Sequence, residues 1–338
     1  NQGVVDQSDG VILWDPGTNL SDHQVYYWRT AIEADAAENN WRSSSFEYIT
    51  DSTGWGQSTS SQFNENQFNL LNYDPFANEK TIQTLTEVDA KQDNNISDLC
   101  NGKDFVISML PIGENVKDVA LGESGIINQE NTDLIFIDMS TILPADTIEV
   151  SKKMLEKNIQ MFDAPVARLV NNAIDGTLLI MVGGSLKDFS KIEEILKCMG
   201  SDVVYCGPIG SGSKMKIINN YMAIVSNIVT AETLSLVHKS GIDQKLAIDL
   251  MSTTAAGKGH MNFSYPKKVL IDDIGPGFKN VLALKDLRLA IEHGESEGIN
   301  LTSGKSVVNV YEEAMDTEYK DLDWTAMFNF VKKSNNLD

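Results

Sequence analysis

Lys216, Asn219, Asn220 and Ala223 recur at the spacing of an α-helix, about 3.6 residues per turn, so they share one face of an apolar stretch that opens at Gly210. An ammonium and two carboxamides inside such a helix are costly to bury unless something satisfies them. Two readings are open. One is a polar patch between two domains. The other is a substrate pocket in which Lys216 donates a proton and the asparagines anchor the substrate by hydrogen bonds. Lys214 falls on a different helix face and reads as a solvated lysine.

A second candidate lies near the amino terminus. An apolar run, Phe46–Ile49, leads into Asp51-Ser52-Thr53-Gly54-Trp55-Gly56, and a second run, Asn69–Tyr73, ends at Asp74, eighteen positions past Gly56. In a dinucleotide-binding βαβ unit an acid at that place bonds the ribose hydroxyls, which favours NAD over NADP. The spacing fits a Gly-x-Gly-x-x-Gly turn with Gly56 as the third glycine, while Asp51 and Thr53 stand where the first two would be. Thr53 adds a side chain where backbone approaches a pyrophosphate, and Asp51 adds like charge. Gly54 permits a rearranged turn. The segment therefore fits either a cofactor turn with Gly54, Gly56 and Asp74 as contacts, or a βα turn that binds nothing.

Composition narrows the classes. The formal net charge of −21 leaves no basic footprint for nucleic acid or an anionic membrane. No uninterrupted apolar run reaches the roughly 18 residues of a membrane span. Cys100, Cys198 and Cys206 are an odd number at irregular spacing, which predicts neither a disulfide framework nor a metal site and favours free thiols in a reducing intracellular compartment, cytoplasmic or mitochondrial matrix. The four histidines are scattered without ligand-pair spacing.

Three segments are expected from the pattern. Residues 1–45 hold Trp14, Trp28 and Trp41 with seven acids and two arginines, unlike an Arg-rich targeting peptide, and read as an extension that packs on the body or on a partner. Residues 46–209 alternate short apolar runs with helical stretches. Further strands are expected at Phe105–Leu110, Leu134–Ile137, Ile159–Phe162, Leu178–Val182 and Val203–Cys206, with helices at Thr147–Asn158 and Ser185–Met199. Such alternation predicts an α/β, doubly wound, mostly parallel sheet. Residues 210–338 carry helical periodicity alone and read as an all-α carboxyl-terminal domain.

Four separated blocks are similar to the β-hydroxyacid dehydrogenase (3-hydroxyisobutyrate dehydrogenase-like) family. They are Ser108-Met109-Leu110-Pro111; Asp138 through Ser140 and Thr141 to Pro144; Asp163-Ala164-Pro165-Val166 with Gly176-Thr177-Leu178 and Met181–Gly184; and Gly210-x-Gly212-x-x-x-Lys216-x-x-Asn219-Asn220. Lys285-Asp286-Leu287 fits the same pattern, and the blocks span about Phe46 to the end in family order. Where the family usually has Ser-Gly-Gly after the Pro-Val, this chain has Ala167-Arg168-Leu169, which resembles the sulfolactaldehyde reductase branch, whose arginine holds a sulfonate. Ala223 replaces a serine of that branch.

The resemblance implies a Rossmann-like domain followed by a helical one, NAD as cofactor, and hydride exchange with a short anionic 3-hydroxy acid or its aldehyde. It implies Lys216 as proton donor, with Asn220 orienting the same oxygen. Ser140, Thr141, Arg168 and Asn219 would hold the substrate, and Met109, Leu110, Pro111 and Lys285 would contact the cofactor. It further implies a homo-oligomer. The departures at Asp51 and Thr53, with the aromatic extension, keep open an alternative: a cofactor-free pseudoenzyme serving as a structural or assembly subunit of a larger complex.

Overall fold

The computed structural model describes residues 95–100, 102–129 and 134–337, together with the backbone of four short strands upstream. Those strands form two pairs: β1 (Arg29–Ala31) with β2 (Trp41–Ser43), antiparallel, and β3 (Leu71–Asn72) with β4 (Lys91–Gln92), parallel. The strand expected at Phe46–Ile49, the turn from Asp51 to Gly56, and Asp74 lie outside the described residues.

The chain divides into two compact units, Asn1–Asn220 and Tyr221–Asp338. In the first, after the short helix α1 (Ile96–Cys100), come β5 (Phe105–Ser108), α2 (Gly113–Leu121), β6 (Ile135–Asp138), α3 (Pro144–Leu155) and β7 (Gln160–Asp163). Then follow β8 (Val166–Ala167), α4 (Val170–Ile174), β9 (Leu179–Gly183), α5 (Phe189–Lys197) and β10 (Asp202–Gly207). The sheet order is β10-β9-β7-β6-β5, with β8 paired to β9.

All four residues of β6 are buried, as a strand covered on both faces requires. Successive side chains alternate between faces. Ile135 and Ile137 join one core with Phe162, Ile180, Ile192 and Leu196, while Phe136 joins the other with Val116, Val150 and Met154. Helices α2 and α3 thus cover one layer and α5 the other. Lys117 on α2 reaches Asp146 at 2.7 Å and Glu149 at 2.9 Å, both on α3.

The sheet departs from the mostly parallel expectation at one seam. Strands β5, β6 and β7 are parallel, and so are β9 and β10, but β9 runs antiparallel to β7. The pairs Asp163↔Gly183, Val166↔Ile180 and Ala167↔Leu179 keep one continuous register, so β7 and β8 are successive parts of a single extended path. The chain then returns beside that path instead of crossing the sheet, and a direct return makes an antiparallel neighbour. Two residues of β8 carry too short a period-two signal to reveal this in sequence.

Helix α6 (Ser211–Lys239) follows, and the division between units falls within it. The second unit contains α7 (Gln244–Met251), α8 (Ala255–Lys258), α9 (His260–Phe263), α10 (Asn280–Ser296), α11 (Thr302–Met315) and α12 (Met327–Ser334), and among its described residues it has no strand. Buried Asp323 staples its loops, accepting from the backbone N–H groups of Gly277, Phe278 and Thr325 and from the Thr325 hydroxyl. A Rossmann-like α/β domain followed by a helical domain is the fold of this chain. No helix among the described residues is long and apolar enough to cross a membrane.

Candidate active site

Strand register aligns Ser108, Asp138, Asp163, Gly183 and Gly207 in one row across the sheet. In open α/β sheets ligands bind beyond the carboxyl ends of the strands, and this row marks that edge for β5, β6 and β7. Both carboxylates in it are buried. Asp138 Oδ1 accepts from the Ser108 hydroxyl at 2.8 Å and from the Ser140 backbone N–H at 3.1 Å, while its Oδ2 is buried without a partner. Burial, opposed by the serine bonds, pushes its carboxyl up to about 6.

Asp163 faces the next helix. Its Oδ1 accepts from Gly210 N–H at 2.7 Å, and its Oδ2 accepts from Ser213 N–H at 2.7 Å and the Ser213 hydroxyl at 3.1 Å. Burial raises this carboxyl too, against those bonds. The start of α6 sits so close to the sheet that a Cβ at Gly212 would strike the Met181 carbonyl oxygen, and one at Gly183 would strike the Asp163 carboxylate.

Lys216 lies one turn further along α6. It is half-buried, burial lowers its amine below the ordinary lysine range, and it has no ion pair or hydrogen bond among the described residues. Every lysine in the salt bridges of this unit is instead held by a carboxylate, as Lys117 is by Asp146 and Glu149. Asn219 is exposed and donates from its side-chain amide to the Asn220 side-chain Oδ1 at 3.3 Å. That bond orients Asn220 and leaves its own NH2 group as a donor. Lys214 is exposed.

Of the other candidates, Ser140 is fully buried; its hydroxyl accepts from Leu110 N–H at 2.7 Å and its backbone N–H donates to Asp138 Oδ1. It thereby holds the Met109-Leu110-Pro111 loop to the end of β6. Met109 is buried, and Leu110, Pro111 and Thr141 are half-buried. Arg168 is exposed, and its guanidinium donates to the Thr177 carbonyl at 2.6 Å, the Ser201 hydroxyl at 2.8 Å and Asp202 Oδ2 at 2.5 Å. Lys285, in the second unit, pairs with Asp286 at 2.7 Å and lines an open groove of about 480 Å³ with Leu284, Arg288, Glu312 and Lys320.

The described part of the carboxyl edge offers donors to a polyanionic ligand. The residues preceding α2 and α3, Ile112 and Leu143, bring no side-chain cap, which leaves the first-turn N–H groups of α2 open; in α3 Pro144 has no N–H and the Leu143 carbonyl takes that of Asp146, so only Ala145 is left. Gly54, Gly56 and Asp74 are outside the described residues. Among the described residues no group of three His, Cys, Asp or Glu could hold a metal, and Cys100, Cys198 and Cys206 are free. The residue that sequence reasoning leaves without a role is Asp163; its only signal is its place in a family block, since a carboxylate 47 positions before Gly210 shows no local spacing to it.

Comparison with known proteins agrees with this architecture. Residues 55–207 match a family model described as the NAD binding domain of 6-phosphogluconate dehydrogenase, and residues 210–331 match one described as NAD-binding of NADP-dependent 3-hydroxyisobutyrate dehydrogenase. The 3-sulfolactaldehyde reductase of Escherichia coli (strain K12) is 36% identical over 257 residues, covering 76% of this chain and 86% of that protein. The mitochondrial 3-hydroxyisobutyrate dehydrogenase of Rattus norvegicus is 30% identical, covering 78% and 80%. Among solved structures, a Mycobacterium tuberculosis 3-hydroxyisobutyrate dehydrogenase with L-serine has a TM-score of 0.54 at 24% identity, covering 81% of this chain and 94% of that one. An imine reductase variant of Myxococcus stipitatus in complex with NAD+ has a TM-score of 0.71 at 14% identity, covering 81% and 95%; both show the fold alone. The chain belongs to the β-hydroxyacid dehydrogenase family. Its two matched domains are of the nicotinamide-dinucleotide-binding type. Nothing in these comparisons supports the structural-subunit alternative.

Proposed function

We propose that this protein is an NAD(H)-dependent reductase or dehydrogenase of a short anionic 3-hydroxy acid and its aldehyde, of the sulfolactaldehyde or hydroxyisobutyrate type. The observation that carries the reading is the Lys216 amine: half-buried, without a partner among the described residues, and one turn from a paired amide. A cation left uncompensated is costly unless a ligand answers it, and perturbed amines mark candidate sites. Two relatives that act on such compounds by name, at 36% and 30% identity, give it context.

The dinucleotide supplies the hydride. The chain's own residues do the rest. As the substrate carbonyl oxygen gains negative charge, Lys216 donates a proton to it. Asn220 donates a hydrogen bond to the same oxygen, its amide oriented by Asn219. Thr141 and Asn219 hold the polar end, Ser140 holds the loop from Met109 to Pro111, and Arg168 meets the anionic head. Met109, Leu110, Pro111, Gly54, Gly56, Asp74 and Lys285 are the residues assigned to the dinucleotide, with Asp74 favouring NAD.

The deciding experiment is steady-state kinetics of wild type and Lys216→Ala with 3-sulfolactaldehyde plus NADH and with 3-hydroxyisobutyrate plus NAD. Turnover falls by about two to four orders of magnitude in the variant, the usual worth of general acid catalysis, while NADH titrated by fluorescence binds both proteins alike. Undiminished turnover in the variant overturns the assignment.

A further inference from the structure

Asp163 is buried, and neither of its oxygens lacks a donor. Its side-chain bonds all run to one place, the entry and first turn of α6: Gly210 N–H, Ser213 N–H and the Ser213 hydroxyl. Lys216 follows Ser213 by three residues, about one helical turn. Its amine has no partner of its own among the described residues, so the backbone beneath it fixes where its flexible stem starts and how deep it begins.

We propose that Asp163 is a positioning residue for Lys216: from the end of β7 it fixes the depth and rotation of the first turn of α6, and thereby the place at which the amine is presented. The proposal rests on the reading of Lys216 as proton donor. An ordinary helix cap comes from the residue just before the helix and satisfies N–H groups locally. Here the acceptor comes from 47 and 50 positions away, so the cap also ties helix to sheet. A carboxylate at this end is further favoured by the dipole of a 29-residue helix.

The same turn is fixed from two other sides. Ser213 Oγ also lies within hydrogen-bond distance, 3.1 Å, of Thr147 Oγ1 on α3. Gly212 has room for no side chain against the Met181 carbonyl, and a Cβ there would stand 2.9 Å from the Asp163 carbonyl oxygen. Sheet, helix α3 and the glycine contact hold one turn, and the next turn carries Lys216.

The test is a double-mutant cycle of Asp163→Asn with Lys216→Ala, read by turnover, by thermal midpoint, and by acetic anhydride labelling of Lys216 across pH with mass spectrometry. Labelling needs neither substrate nor cofactor and gives the titration midpoint of the amine. Asp163→Asn is expected to lower kcat by on the order of a hundredfold, as small misplacements do, to leave KM for NADH unchanged, and to shift the Lys216 midpoint, since the burial that sets it changes with the depth of the helix. In the Lys216→Ala background it costs nothing further in kcat. Equal losses in both backgrounds, or a folded Asp163→Asn protein with unchanged kcat and Lys216 midpoint, overturn the proposal while leaving the donor assignment standing. A fully active Lys216→Ala protein overturns both. Should Asp163→Asn fail to fold, Ser213→Ala, which removes one contact and keeps the backbone donors, takes its place with the same pattern at smaller size.

Discussion

Arg168 and Asp202 form an ion pair at 2.5 Å that joins the end of β8 to the start of β10. The Ser201 hydroxyl and then the Arg168 guanidinium hold the Asp202 carboxyl below its ordinary range. Arg168 also has a φ of +85°, in the left-handed region that costs a side chain and suits glycine. A glycine would adopt this conformation without strain, so the arginine stands here at a conformational cost.

The first prediction follows from that competition. Under the proposed function, an anionic substrate head competes with Asp202 for the Arg168 fork. Asp202→Asn is expected to lower KM for 3-sulfolactaldehyde several-fold with kcat unchanged, because a neutral amide competes less. Arg168→Gly relaxes the backbone, by about 1 kcal/mol or more, and raises that KM. Thermal midpoints and KM for the two variants check both halves. A KM indifferent to both variants removes Arg168 from the substrate site.

Lys216 gives a pH signature. Burial lowers its amine below the ordinary lysine range. A proton donor works only while charged, so carbonyl reduction slows as pH rises through that lowered value. In the oxidation direction the neutral amine must accept a proton, so the rate rises over the same interval. Profiles of kcat in both directions should therefore show mirror-image limbs at one pH, and Lys216→Ala should erase both. A limb that survives in the variant belongs to another group.

How much of the fold and site is legible in the sequence differs from residue to residue. The apolar run places a strand at Leu134–Ile137, and β6 lies at Ile135–Asp138. Periodicity places a helix at Thr147–Asn158, and α3 begins earlier, at Pro144, whose ring is preset for a first helical turn. Strand β6 is legible because burial on both faces leaves a continuous apolar run, and α3 because its buried residues, Thr147, Val150 and Met154, recur at helical spacing. The reversal between β7 and β9 is not, since direction is set by connection and not by composition. Lys216, Asn219 and Asn220 fall on a common helix from spacing alone. The engagement of Arg168 by Asp202 has no such signal, because the partners are 34 residues apart. A longer separation, 47 and 50 residues, hides Asp163: its partners at Gly210 and Ser213 are brought to it by the sheet register.

Gly212 offers a steric test of the close approach of α6 to the sheet. A Cβ there would strike the Met181 carbonyl oxygen, which is held in a strand and cannot give way as a flexible side chain would. Gly212→Ala is expected to cost about 1–3 kcal/mol, as overpacking usually does, and to lower kcat as the helix start is pushed outward. Gly241→Ala is the control for adding a methyl: a Cβ there meets nothing, although its φ of +69° carries a backbone cost of its own. Urea midpoints and kcat together check this, and loss of stability at Gly212 with unchanged kcat separates packing from catalysis.

Asp138 makes stability depend on pH in an unusual direction for a carboxylate. Burial comes first among the causes that push it up to about 6, and the nearby Asp163 charge adds to it. In the unfolded chain an aspartate titrates near its ordinary value of 3.8. Between those two values the folded protein holds a proton that the unfolded chain has released, and linkage then fixes the sign. The stabilising contribution of the proton is fully present below about pH 4 and is lost as pH rises through about 6. Asp138→Asn replaces the group by one that cannot ionise, keeps an acceptor for Ser108 and Ser140, and places an NH2 where Oδ2 has no partner. Relative to wild type the variant should therefore gain stability as pH rises from 4 to 7, by roughly 3 kcal/mol for a shift of this size, and the difference should level off above that. Urea unfolding of both proteins at each unit of pH from 4 to 8 measures it. A difference constant across that range would mean that Asp138 is ionised in the folded protein throughout, with its charge met by a donor at Oδ2.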